Sequence, residues 1–179
     1  MKKLISLVSG ISVVALLAAC GGGGDDGLAT ATPSTTTTTP ATTTTTGAAA
    51  KYVGTWVGCF PNGTNASTRE TLVLTQQGPD SLSTASTETS FAAASCGGAA
   101  GTTKTSSDTA ALAGTKTIGT DTVDKVIVTQ KDRPPQKQVL LVKGTAPAML
   151  FVGKGLADGG TVDAEGYPTT LDSLGFSKQ

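Results

Sequence analysis

Tyr52-Val53-Gly54-Thr55-Trp56-Val57-Gly58-Cys59-Phe60 is the stretch on which the fold turns. Side chains alternate between the two faces of a strand. Tyr52, Trp56 and Phe60 therefore share one face, with Gly54 and Gly58 between them, while Val53, Val57 and Cys59 share the other. Both faces are partly apolar, so a second layer is expected outside the first. The segment 155–176 is predicted to fold back across the outside, with Tyr167, Leu171, Leu174 and Phe176 as anchors and a short helical turn at residues 168–172.

Outward from that stretch the pattern is strand after strand. Residues 52–60, 69–76, 81–87, 89–95, 109–118, 122–130, 136–143 and 148–153 are short runs rich in Val, Leu, Thr or Ala. They are separated by turn residues such as Pro61-Asn62-Gly63, Gly78-Pro79-Asp80, Cys96-Gly97-Gly98 and Lys143-Gly144-Thr145, which supply positive-φ positions or fixed-φ prolines. Loops this short join antiparallel neighbours. The expectation is an all-β fold, a single antiparallel up-and-down barrel of about eight short strands, with a β-sandwich as the alternative. A closed barrel also removes strand edges that template aggregation.

The runs Val139-Leu140-Leu141-Val142 and Met149-Leu150-Phe151-Val152 are continuously apolar and should be the best buried. Residues 81–120 are mostly Ser, Thr, Ala and Gly, so that side should be thinly packed or open to water. Trp56, Phe60 and Phe151 are the candidates for the barrel core and for any ligand contact.

Ahead of the domain, Lys2 and Lys3 precede an uncharged apolar run ending in Leu17-Ala18-Ala19-Cys20. The run is about fourteen residues, short of the roughly twenty that span a bilayer. It has the form of a secretory signal at residues 1–19. Residues 20–50 change to glycine, threonine and proline, which cannot bury enough apolar surface to offset the entropy of ordering. They read as a disordered tether with a root-mean-square span of roughly 30 Å. O-glycosylation of the threonines is the alternative role for that tract. Residues 51–179 form one domain of about 130 residues.

Leu17-Ala18-Ala19-Cys20 resembles the bacterial lipobox, an ordinary signal peptide with a fortuitous cysteine being the alternative. The resemblance implies cleavage before Cys20 and lipid on its sulfur, with several acyl chains holding the protein on a membrane surface. It implies a cell-envelope lipoprotein. Gly21 follows where an aspartate would signal inner-membrane retention, which favours the outer membrane, with the domain in the periplasm or at the cell surface. With Cys20 so used, the two remaining cysteines of an exported domain pair most simply with each other. A Cys59–Cys96 disulfide is predicted, tying the end of the first strand to the loop after the fourth.

The chain carries 13 basic and 13 acidic residues without a concentrated patch, which argues against nucleic acid as a partner. It has no histidine. That excludes Ser-His-Asp and Cys-His arrangements and the usual ligand of catalytic zinc. The acids Glu70, Asp80, Glu88, Asp108, Asp121, Asp124, Asp132 and Asp172 are scattered and expected at turns or on solvent-facing strand positions. Asp158, Asp163 and Glu165 on a glycine-rich loop lack EF-hand spacing and read as a polar loop. No catalytic residue, metal or cofactor is expected.

Gly54-Thr55-Trp56, at the start of a domain of short strands, resembles the opening strand of lipocalin-like barrels, whose Gly-x-Trp places the indole at the barrel floor. Together with the second cysteine and the lipobox, the chain is similar to lipocalin-like envelope lipoproteins. In that family an arginine near the last strand packs on the tryptophan; the chain departs from this pattern, with only Lys143 and Lys154 nearby. The resemblance also implies non-catalytic binding of a small apolar ligand. The alternative is a protein-interaction or inhibitor module of the envelope, similar in layout to small barrel lipoproteins that inhibit lysozyme.

Overall fold

The computed structural model describes residues 47–179; the expected signal peptide, Cys20 and most of the tether lie outside the described residues. Eight strands follow one another around a closed barrel, each antiparallel to the next: β1 (Gly54–Pro61), β2 (Ser67–Gly78), β3 (Ser81–Phe91), β4 (Ala100–Ile118), β5 (Asp121–Thr129), β6 (Gln136–Lys143), β7 (Met149–Val152) and β8 (Phe176–Lys178). β8 pairs with both β7 and β1 and closes the circle. The up-and-down barrel is thus the fold, not the sandwich. Among the described residues no helix is long and apolar enough to cross a membrane.

Alternation explains the inside. Trp56, Leu74, Leu82, Ala110, Val126, Leu150 and Phe176 point inward and form the buried core with Ala49 and Tyr52. The last two come from a 3-10 turn, Ala48–Tyr52, that plugs one end of the barrel. The Ala49 amide donates to the Pro79 carbonyl at 2.9 Å, docking the plug on the β2–β3 turn. The domain therefore begins ahead of residue 51, and Tyr52 lies in this turn rather than in a strand. Alanine-rich sequence without apolar alternation gave no sign of it.

Outside, Val123 and Val139 are covered by Tyr167, with Ile118, Leu141 and Leu171 packed around them. The chain after β7 crosses this face as a strap, held by Gly153–Leu171 and Val162–Pro168 bridges. This accounts for the continuous apolar run in β6: Val139 lies under the strap while Leu140 packs against the barrel core. Tyr167 and Leu171 anchor the strap as expected. Phe176 does not; it is an inward residue of β8 and meets Phe60 edge-on, ring centroids 5.1 Å apart. Leu174 stays exposed beside the cavity. The helical turn falls at Leu156–Asp158 instead of 168–172, where bridging with the strap's own Val162 and with Gly153 keeps the chain extended.

The middle of the barrel also differs from expectation. Residues 81–87 and 89–95 are not two strands; β3 runs unbroken through Glu88, because the far end of the barrel is open and an inward carboxylate there still meets water. The Cys59–Cys96 disulfide is present, but Cys96 consequently lies in the loop after the third strand rather than the fourth. β4 begins at Ala100, well ahead of residue 109, since pairing with β3 alone sustains it. It pairs with β5 only over residues 109–118. Residues 100–108 thus keep one exposed edge, so the barrel does not cover every edge, and the thin packing expected on this side is seen in their exposure.

Candidate ligand-binding cavity

A cavity of about 360 Å³ lies inside the barrel, between the packed end and the open end. Its size falls in the usual range for small-molecule sites. Leu74, Leu82, Val126 and Leu150 line its deep part, Leu72, Ala110, Val128 and Val152 its middle, and Glu70, Glu88, Asp108 and Gln136 its outer part. The gradient follows from strand parity. The inward positions of β2 read Leu74, Leu72, Glu70, Thr68 from the plugged end outward, so one strand supplies both the apolar wall and the polar rim.

The floor beneath is solid. Tyr52 and Trp56 are both fully buried. The Trp56 Nε1–H donates to the Tyr52 carbonyl at 2.7 Å, and the Tyr52 hydroxyl donates to Asp124 Oδ2 at 2.6 Å, with the Leu140 carbonyl 3.2 Å away as a second acceptor for the same hydrogen. Lys51 Nζ reaches the same Asp124 oxygen at 2.6 Å from the solvent side. Burial first, and then the Asp124 hydrogen bond and charge, hold the Tyr52 phenol well above its ordinary range. Lys178 caps Trp56, its Nζ 5.3 Å from the ring centroid. The cation on the tryptophan is therefore Lys178, neither Lys143, which pairs with Asp121 at 2.7 Å, nor Lys154, which lines the cavity. Gly54 makes this possible: a Cβ there would stand 2.8 Å from Lys178 Cε, and its φ of +135° disfavours any side chain. Gly58 does the same higher up, where a Cβ would strike the Phe60 ring at 2.6 Å.

Of the three core candidates, Trp56 belongs to the floor and Phe60 to the cavity wall. Phe151 belongs to neither. It lies between Leu150 and Val152, which face inward, so parity turns it outward opposite Leu141, where Gly175 lies over its ring. A continuously apolar strand conceals its parity, and only the register with β6 reveals it.

The acids are the main departure from expectation. Glu70, Glu88, Asp108, Asp158 and Asp172 all line the cavity, and Asp124 is buried at the floor. Glu70 and Glu88 stand directly opposite each other in the β2–β3 ladder. Burial chiefly, and then the Glu88 charge, push the Glu70 carboxyl up to about 7, against a weak opposing hydrogen bond from Ser86 at 3.3 Å. The inward parity of Glu70 follows from Leu72 and Leu74 on the same strand, and that of Glu88 from Leu82 on β3.

The strap loop divides its carboxylates among different partners. Asp163 pairs with Lys116 and accepts from the Tyr167 amide, which lowers its carboxyl below the usual range, and Glu165 pairs with Lys125 at 3.0 Å. Among the described residues no group of three or more His, Cys, Asp or Glu is arranged to hold a metal ion.

Comparison with family models, curated proteins and solved structures finds no match to this chain. The site offers a largely apolar wall that displaces water from a ligand, at about 25 cal/mol per Å² buried, with its carboxylates towards the open end and Thr84 and Gln138 as further polar groups in the wall.

Proposed function

We propose that this protein is an envelope lipoprotein, anchored by lipid on Cys20, whose barrel binds a small ligand with an apolar body without transforming it. The observation that carries the binding role is the cavity of about 360 Å³ above an apolar floor. A barrel built only for rigidity would fill its interior with side chains, because protein cores are close-packed. Here the large side chains Trp56 and Tyr52 pack the floor and leave the space above open. The Lys178 cap on Trp56 supports the lipocalin-like reading made from Gly54-Thr55-Trp56. The lipid anchor rests on the lipobox resemblance.

The test of binding is titration of the delipidated protein with phenylnaphthylamine, an apolar probe that fluoresces when it leaves water. The parent is expected to bind it, and Leu72→Trp, which fills the middle of the cavity, to abolish binding. Leu156→Trp, on the exposed turn, serves as the control. Equal fluorescence from parent and Leu72→Trp sinks the cavity as the binding site. Mass spectrometry of the native protein tests the anchor, and a Cys20 free of acyl groups sinks it.

One observation favours the second reading, a protein-interaction module. Residues 100–108 of β4 present a strand edge paired on one side only, the geometry that accepts an added strand from a partner.

A further inference from the structure

We propose that the ligand of this cavity is an amphiphilic cation, an apolar body bearing an amine or quaternary ammonium group that is held at the opposed Glu70–Glu88 pair, with Asp108 adding negative charge further along the wall. This rests on the ligand-binding reading above and specifies its chemistry.

Five carboxylates line the cavity, from Glu70, Glu88, Asp108, Asp158 and Asp172, against one basic residue, Lys154. None of the five is in an ion pair among the described residues; the ion pairs there use Asp121, Asp124, Asp163 and Glu165. Three of the five come from adjacent strands. Glu70 on β2 faces Glu88 on β3 directly, and Asp108 on β4 pairs with Thr84 of β3, two inward positions deeper than Glu88. Directly opposed residues in an antiparallel ladder have Cβ atoms about 5 Å apart, and like charges in that relation repel.

The neighbours do little to neutralise this group. Lys104 stands opposite Glu88 in the β3–β4 ladder but is exposed and makes no ion pair with it. Asp108 accepts a hydrogen bond from the Gln130 side-chain amide at 3.0 Å, and Arg133 reaches only as far as Gln130. Lys154 follows β7, across the barrel from β3, on the side where Asp158 and Asp172 also lie. Glu70 has the Ser86 hydroxyl. An apolar chamber that opens into an excess of carboxylates over basic groups attracts a ligand that is apolar at one end and positive at the other. It repels a carboxylate of the same tail, because like charges brought together in a partly desolvated site disfavour binding.

The experiment is calorimetric titration of the delipidated full-length mature protein with three ligands of one tail: decyltrimethylammonium, decanol and decanoate, each below its micelle concentration. The expected result is an affinity for the cation about tenfold or more above that for decanoate, with decanol between them. Glu70→Gln with Glu88→Gln is expected to narrow the gap. Decanoate binding as tightly as the cation overturns the proposal, and it leaves the cavity reading standing if phenylnaphthylamine still binds. Failure of all three ligands and of phenylnaphthylamine overturns both. The comparison among ligands on the parent protein decides the matter even if the double variant does not fold.

Discussion

Tyr52 and Asp124 are 72 residues apart and meet at the closed end of the barrel, the phenol donating to the carboxylate at 2.6 Å. The contact joins the N-terminal plug to β5, so the plug is fastened to the wall as well as buried against it. A hydrogen bond to a charged group contributes about 1.5–3 kcal/mol. Tyr52→Phe is expected to lower unfolding free energy by about 2 kcal/mol in urea titration. Lys51→Ala should cost less than about 1 kcal/mol, because the Lys51 side chain is half exposed.

Glu70 makes stability depend on pH near neutrality. Its carboxyl is raised from 4.5 to about 7 in the folded barrel, so the folded state holds the proton more tightly than the unfolded chain. A state that binds more protons loses ground as protons become scarce, and stability therefore falls as pH rises from about 4.5 to about 7 and levels off above. Glu70→Gln should remove that slope and exceed the parent above pH 7 by about 1–2 kcal/mol, a value reduced for partial exposure to water. Urea midpoints of parent and variant across that window check it, and a parent midpoint that rises with pH contradicts it.

Lys178 over Trp56 sits on the last strand and seals the first. Cation–π contacts contribute about 0.5–2 kcal/mol, so Lys178→Ala should destabilise by about 1 kcal/mol and shift the Trp56 fluorescence, the protein having a single tryptophan. Gly54→Ala should cost more, since it adds a positive-φ penalty to the collision with the lysine stem.

The Cys59–Cys96 bond ties β1 to the β3–β4 loop near the open end, spanning 37 residues of sequence. The same loop is held by Arg69, whose Nη2 donates to the Cys96 carbonyl at 2.7 Å, and by Ser67, which accepts from the Cys96 amide at 2.8 Å. In the chain-entropy model a loop of this length contributes about 4 kcal/mol. Replacing both cysteines with serine should lower the unfolding free energy by up to that amount, with the hydrogen bonds keeping the loop in place. Calorimetric unfolding of the two proteins measures it.

The barrel was legible where apolar residues alternate or turns are chemically marked. Trp56, Phe60 and the Cys59–Cys96 pairing could all be read from residue type and spacing. Legibility failed where a strand has no apolar alternation. Ala100 to Asp108 carry no core-facing apolar side chain, so their strand character comes wholly from hydrogen bonds to β3. It failed again where every residue is apolar, as at Phe151, whose direction is set by register alone.

The site divides along the same line. That Glu70 and Glu88 are carboxylates is a matter of sequence, and so is the apolar body of the chamber. That the two face each other inside it, with Asp108 on the next strand, depends on the antiparallel register of β2, β3 and β4. Period and turn chemistry act over a few residues and so specify strands and their order. Which side chains share an enclosed space is decided by pairings between residues distant in the chain, and Lys178 on Trp56, at opposite ends of the folded domain, is the plainest case.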